Sequence, residues 1–169
     1  MERQLQSETH VDAPADVVRE VLVTEPARVL ASRPVAARTR SFPVEVRVDS
    51  SGGTSAGQQV VLDLGLPDGD DEFPVRWVPA SHTRVLPGFR GSLAVVPEGD
   101  GSIVRITGVY RPPLGRLGAF GDGLIGHRIA RRSLDELVAL LSTRLLEEAR
   151  RLATTVAVRP ASYPETFLG

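Results

Sequence analysis

From Val44 onward the hydrophobic period of this chain changes once, from two to about 3.6, and that change constrains the fold more than any other feature. Val44, Val46 and Val48 alternate with Glu45, Arg47 and Asp49. Val60, Leu62, Leu64 and Leu66 alternate around Asp63, and Phe73, Val75 and Trp77 repeat the pattern. Val104, Ile106, Gly108 and Tyr110 close the series. A period of two sends successive side chains to opposite faces of a strand. Turn-forming stretches separate the runs: Asp49 to Gly57, Pro67-Asp68-Gly69-Asp70-Asp71, and Glu98-Gly99-Asp100-Gly101. Connections this short imply antiparallel neighbours. Beyond Arg111-Pro112-Pro113 the apolar residues are Leu134, Leu137, Val138, Leu141, Leu145, Ala149 and Leu152, with Arg and Glu opposite. That spacing predicts one long amphipathic helix, starting between Gly115 and Asp122 and ending near Ala153.

The N-terminal part is simpler. Leu5, Ser7, Thr9 and Val11 share one face of a strand, with Gln6, Glu8 and His10 on the other. Asp12 is an N-cap candidate with Pro14 in the first turn, and Val17, Val18, Val21 and Leu22 carry a short helix to about Thr24. Glu25 to Ser41 reads as a broken helix or loop. An irregular strand runs from Arg84 to Val96, bent at Pro87-Gly88 and Gly91. Strand, short helix, strands and one long helix make a segregated α+β order. The expected architecture is a curved antiparallel β-sheet wrapped around a long C-terminal α-helix. It fills a single domain over residues 1–153, with an extended C-terminal tail over 154–169. The concave face is then Val44, Val46, Val48, Val60, Leu62, Leu64, Phe73, Val75, Trp77, Val104, Ile106 and Tyr110. Side chains of this size either pack a solid core or line a cavity for an apolar ligand.

Composition removes several functions. The net charge of −1 gives no field to recruit nucleic acid. All 20 basic residues are arginine, which excludes a Schiff-base or phosphate-loop lysine. Cysteine is absent, so disulfides, thiolate metal sites and cysteine nucleophiles are excluded. His10, His82 and His127 have no metal-ligand spacing, and Asp68, Asp70, Asp71 and Glu72 lack the order of a calcium loop. Gly118-Ala119-Phe120-Gly121-Asp122-Gly123 lacks the order of a dinucleotide loop. No metal and no cofactor is implied. The polar N-terminus and the lack of a membrane-spanning apolar run read as a cytoplasmic protein with no membrane insertion.

Two stretches resemble a known superfamily, the SRPBCC group, also called START-related or Bet v 1-like. They are Thr9-His10-Val11-Asp12-Ala13-Pro14-Ala15-Asp16-Val17-Val18-Arg19-Glu20-Val21-Leu22, and Gly108-Val109-Tyr110-Arg111-Pro112-Pro113-Leu114-Gly115-Arg116-Leu117-Gly118. The order of elements matches over nearly the whole chain. The resemblance implies the helix-grip fold and binding of a hydrophobic small molecule, lipid or aromatic and polyketide-like, between sheet and helix. It carries no catalytic residue over. The superfamily includes polyketide cyclases/aromatases, so an enzyme of that type is the alternative. A protein-interaction module, forming a homodimer through the open sheet edge or the tail, is a third reading. The chain departs from the superfamily where Val18 stands in place of a frequent Trp, and where Glu25 to Ser41 lacks the usual pattern.

No residue is assigned a catalytic role, and the expected ligand contacts are chosen by face and chemistry. His127 lies one heptad before Leu134, on the stripe facing the sheet. It serves either as a hydrogen-bond partner or proton shuttle for a ligand, or as a histidine at the cavity mouth satisfied by water or backbone. Tyr110 points inward and donates either to a ligand oxygen or to a backbone carbonyl. Trp77, Phe73, Val46, Leu62, Leu64 and Ile106 are expected as walls, and Phe120 as part of a glycine-rich gate. Arg90 either reaches inward to an acidic or enolate group, as the resemblance to polyketide cyclases implies, or is a solvated edge arginine.

Overall fold

Each alternating run forms a strand, and turn chemistry sets the strand ends. The computed structural model describes residues 2–36, 39–49, 55–67, 71–80, 88–111 and 123–157. The strands are β1 (Arg3–Val11), β2 (Ser41–Asp49), β3 (Ser55–Leu64), β4 (Phe73–Pro79), β5 (Gly88–Glu98) and β6 (Gly101–Arg111). The helices are α1 (Ala15–Thr24), α2 (Pro26–Leu30) and α3 (Gly123–Ala157). The sheet order is β1-β6-β5-β4-β3-β2, antiparallel throughout. Strands β2 to β6 form a meander, and β1 returns beside β6. This leaves β1 and β2 as the two edges, bridged at one end by α1 and α2.

Register explains the core. Tyr110, Phe89, Trp77, Leu62 and Phe42 are successive cross-strand partners, one from each of β6 to β2. The next inner row runs Leu5, Gly108, Gly91, Val75 and Leu64. A Cβ on Gly91 would lie 2.1 Å from the Thr107 carbonyl oxygen, and one on Gly108 would lie 2.6 Å from Cζ of Phe89. These two glycines let β5 and β6 approach too closely for side chains, and Phe89 folds into the space they leave. The tight bend in the sheet therefore comes from a facing glycine pair.

Helix α3 lies against both edge strands and against α1, α2 and β6. Its Leu134, Leu137, Val138, Leu141, Leu145 and Ala149 are buried, as the period requires. It ends at Ala157, past the expected Ala153. Its expected start lies outside the described residues. Two further expectations are corrected. Asp12 does not cap α1; Pro14 stands at the cap and no side chain bonds there, since the helix begins three residues beyond Asp12. Leu66 lies beyond the end of β3 and is exposed, because the strand stops at Leu64. There Arg40 takes over, donating to the carbonyls of Leu64 at 2.8 Å, Gly65 at 2.8 Å and Val23 at 3.3 Å. Burial holds the pKa of Arg40 below its ordinary value.

The buried stripe of α3 also carries a carboxylate. Glu148 is buried where α3 crosses α2, held by Arg151 at 2.8 Å and facing Arg28 at 3.8 Å. The hydrogen bond that Arg151 donates to Glu148 raises the pKa of Arg151.

Candidate functional site

Where β2 meets α3, sheet and helix do not close. A cleft of about 590 Å³ opens between them, lined by Val44, Glu45 and Val46 of β2, by Ser32, and by Glu136, Leu137, Ala139, Leu140 and Arg144 of α3. The volume falls in the range of small-molecule sites. Its floor is apolar because Val44 and Val46 carry the inward parity of β2, while Leu137 belongs to the buried stripe of α3.

The β2 edge supplies the polar rim. The N–H of Leu64 bonds the Arg40 carbonyl, so even-numbered residues of this strand direct their backbone groups toward β3. Odd-numbered residues point to the open edge. Thr39 Oγ1 satisfies Ser41, and Ser32 donates from both N and Oγ to the Pro43 carbonyl at 2.8 Å. Proline has no N–H to offer. Glu45 follows with no partner for its backbone N–H and C=O among the described residues, and it is there that the cleft lies.

A second polar feature stands at the other end of α3. Tyr110 is 1% exposed and His127 is half-buried, and the Tyr110 hydroxyl lies 3.3 Å from Nδ1 of His127. Their ring centroids are 6.1 Å apart. With Nδ1 engaged, Nε2 of His127 has no partner among the described residues. A neutral imidazole accepting from the phenol would present Nε2–H; a protonated one would donate from Nδ1 and release the phenol proton. Beside this pair, Trp77 stacks on Phe89 with centroids 4.1 Å apart and planes 10° off parallel. The row Trp77, Phe89, Tyr110 and His127 is thus three aromatic walls ending in two polar heteroatoms. One turn before Leu137, the buried Ser133 hydroxyl has no hydrogen-bond partner. Such orphaned groups are rare in native interiors.

The expected site residues divide into four groups. His127 and Tyr110 come together, each within hydrogen-bonding distance of the other, a pairing that none of the readings given for them named. Trp77, Phe73, Leu62, Leu64 and Ile106 are buried in the inner face, and Val46 lines the cleft. Of the two readings left open for Arg90, the structure shows the solvated one: it faces outward with its side chain 68% exposed and pairs with Glu2 at 3.0 Å. The reason is parity, since Phe89 and Leu93 on the same strand take the inward positions. Phe120 lies outside the described residues.

Sequence reading missed Phe89 and Arg144. Phe89 shares the parity of Leu93 and Val95, a signal masked by the glycines on either side. Arg144 is one heptad beyond Leu137, so the buried stripe of α3 carries a cation where it leaves the sheet. Among the described residues no group of three His, Asp or Glu could hold a metal ion, and no helix is long and apolar enough to cross a membrane.

No family model and no curated protein sequence matches this chain. Its likeness to solved structures is clear. TTHA0849 from Thermus thermophilus is 16% identical with a TM-score of 0.55, covering 86% of this chain and 99% of that one. Norcoclaurine synthase from Thalictrum flavum is 13% identical with a TM-score of 0.52, covering 87% of this chain and 88% of its own. The Zhui aromatase/cyclase from Streptomyces sp. R1128 is 17% identical with a TM-score of 0.50, covering 90% of this chain and 96% of its own. Identities this low speak to the fold alone. What the chain shares with these structures is the helix-grip fold, a six-stranded antiparallel sheet against a long C-terminal helix.

Proposed function

We propose that this protein binds a small, largely apolar molecule between its sheet and α3. The observation that carries the reading is the cleft of about 590 Å³, with its apolar floor of Val44, Val46 and Leu137. Helix α3 packs on β2 through these buried residues and leaves the cleft beside an edge strand that still has open backbone groups. Native mass spectrometry of the purified protein, as isolated and after exposure to a panel of fatty, phenolic and polyketide-like compounds, tests the reading. A mass increment that apolar compounds compete away supports it; a bare protein that takes up none of them refutes it.

A second reading is favoured by one observation, the 3.3 Å contact of Tyr110 with His127. A phenol and an imidazole at hydrogen-bonding distance can relay a proton to or from a carbonyl ligand. General acid–base help of this kind contributes about 10²–10⁴-fold. This is the chemistry an aromatase/cyclase-type enzyme would need. Turnover of a poly-β-keto substrate that falls in His127→Ala and in Tyr110→Phe would support the enzyme; turnover unchanged in both would remove the pair from it.

A further inference from the structure

Arg144 is the cation of the cleft, and most of its hydrogen-bonding capacity is unused. Its Nη1 donates to the carbonyls of Val29 at 3.1 Å and Ala31 at 3.2 Å, at the C-terminal end of α2. No carboxylate among the described residues pairs with it. Glu148, one turn further along α3, is held by Arg151 and faces Arg28. Glu136, at the opposite end of the cleft, faces Arg132 at 3.8 Å. A guanidinium has five N–H groups, and two of them are engaged on Nη1. The edge formed by Nε and Nη2 remains, and that edge presents two parallel donors with the spacing of a carboxylate. A tether to α2 alone would leave this fork idle and a half-buried cation without a counter-ion, which is costly.

The apolar part of the cleft runs from this fork toward Glu136. Eight residues of helix separate the two, about 12 Å, with Leu137 and Leu140 between them and Val44 and Val46 opposite. One end is therefore cationic; of the two carboxylates in the lining, that of Glu136 faces a neighbouring arginine and that of Glu45 reaches over Gly57 of β3, which leaves Val44, Val46, Leu137 and Leu140 as the apolar body. We propose that the cleft takes an amphipathic carboxylic acid. Its carboxylate sits on the Nε/Nη2 edge of Arg144, and its alkyl or aryl body lies along Val44, Val46, Leu137 and Leu140. The proposal rests on the reading of the cleft as an apolar-ligand site and adds the class of ligand and the residue that selects it.

Octanoate and 1-octanol share a chain and differ in the head group, which separates the two ideas. Calorimetric titration of the full-length protein with each should give octanoate about tenfold tighter than the alcohol, the worth of a charge-assisted pair over a neutral one. Arg144→Gln should remove that difference while leaving 1-octanol within about twofold. Arg144→Lys should keep part of the preference, because the charge persists while the fork is lost. Glu136→Gln should leave it in place. Circular dichroism melts would check that each variant is folded. Equal affinity of the wild-type protein for the two ligands would overturn the carboxylate proposal and leave the apolar site standing. So would a loss in Arg144→Gln that falls equally on both, the mark of a tether only. If neither ligand binds, the apolar-site reading fails and the proposal falls with it.

Discussion

Replacing Gly108 by alanine would test the glycine pair that bends the sheet under the aromatic row. An added Cβ would stand 2.3 Å from the Arg90 carbonyl oxygen, 2.6 Å from Cζ of Phe89 and 2.7 Å from Cα of Gly91. Ordinary carbon contacts are about 3.5–4.0 Å, so β5 and β6 would have to part by roughly 1 Å. Phe89 can rotate away, but the two backbone atoms cannot. Overpacking of this kind costs about 1–3 kcal/mol. The loss of unfolded-state freedom returns about 0.4–1 kcal/mol. A net destabilisation of about 1.3 kcal/mol should lower Tm by about 3–5 °C in a chain of this size. Moving Phe89 would also disturb its stack on Trp77, the only tryptophan of the chain, so the near-ultraviolet circular dichroism should weaken with Tm. The control is Gly99→Ala, where φ is +56° and nothing lies within 4 Å, so only backbone strain of about 1 kcal/mol is added. A Gly108→Ala protein that melts within about 1 °C of wild type would refute the close-approach argument. So would one no less stable than Gly99→Ala.

Other substitutions probe the remaining contacts. Leu141→Ala, at a fully buried position of α3, should cost about 2–5 kcal/mol in a urea titration, and a loss under 1 kcal/mol would mean that helix and sheet do not pack there. Arg40→Met should leave the carbonyls of Leu64, Gly65 and Val23 short of a donor and lower stability by about 2 kcal/mol, measured the same way. Tyr110→Phe removes one hydrogen bond to a half-buried partner and should cost no more than about 1 kcal/mol. It should also change the nitrogen chemical shift of Nδ1 in His127; an unchanged shift would mean that the two rings do not interact in solution.

The sheet and α3 were legible because each buries one face and the other stays in water. Val44, Val46, Val60, Leu62 and Leu64 announce their parity, and Leu134 to Ala149 their helical stripe, without any tertiary information. The site was harder to read. His127 and Tyr110 could be placed on facing surfaces from periodicity, yet nothing local says that two side chains 17 positions apart will meet at 3.3 Å. Arg90 had two readings because Pro87, Gly88 and Gly91 obscure the period of β5, and a single step of register reverses every side chain. The cleft itself is a property of two elements separated by most of the chain. No window of sequence containing Val46 also contains Leu137, and the gap between them depends on how far α2 and Arg144 hold the helix from the edge strand. Glu148 lies one heptad beyond Leu141, on the buried stripe, and its charge rather than its position hid that.

The central claim is that the space between β2 and α3 holds a ligand. Methyl-labelled nuclear magnetic resonance reads it most directly, by titrating the protein with octanoate and following assigned methyl groups. The account predicts saturable shifts at Val44, Val46, Leu137 and Leu140, which line or face the cleft, with little change at Val11 or Val104 on the far rows of the sheet. Shifts absent from the cleft methyls at saturating ligand, or concentrated on the far rows, would contradict it.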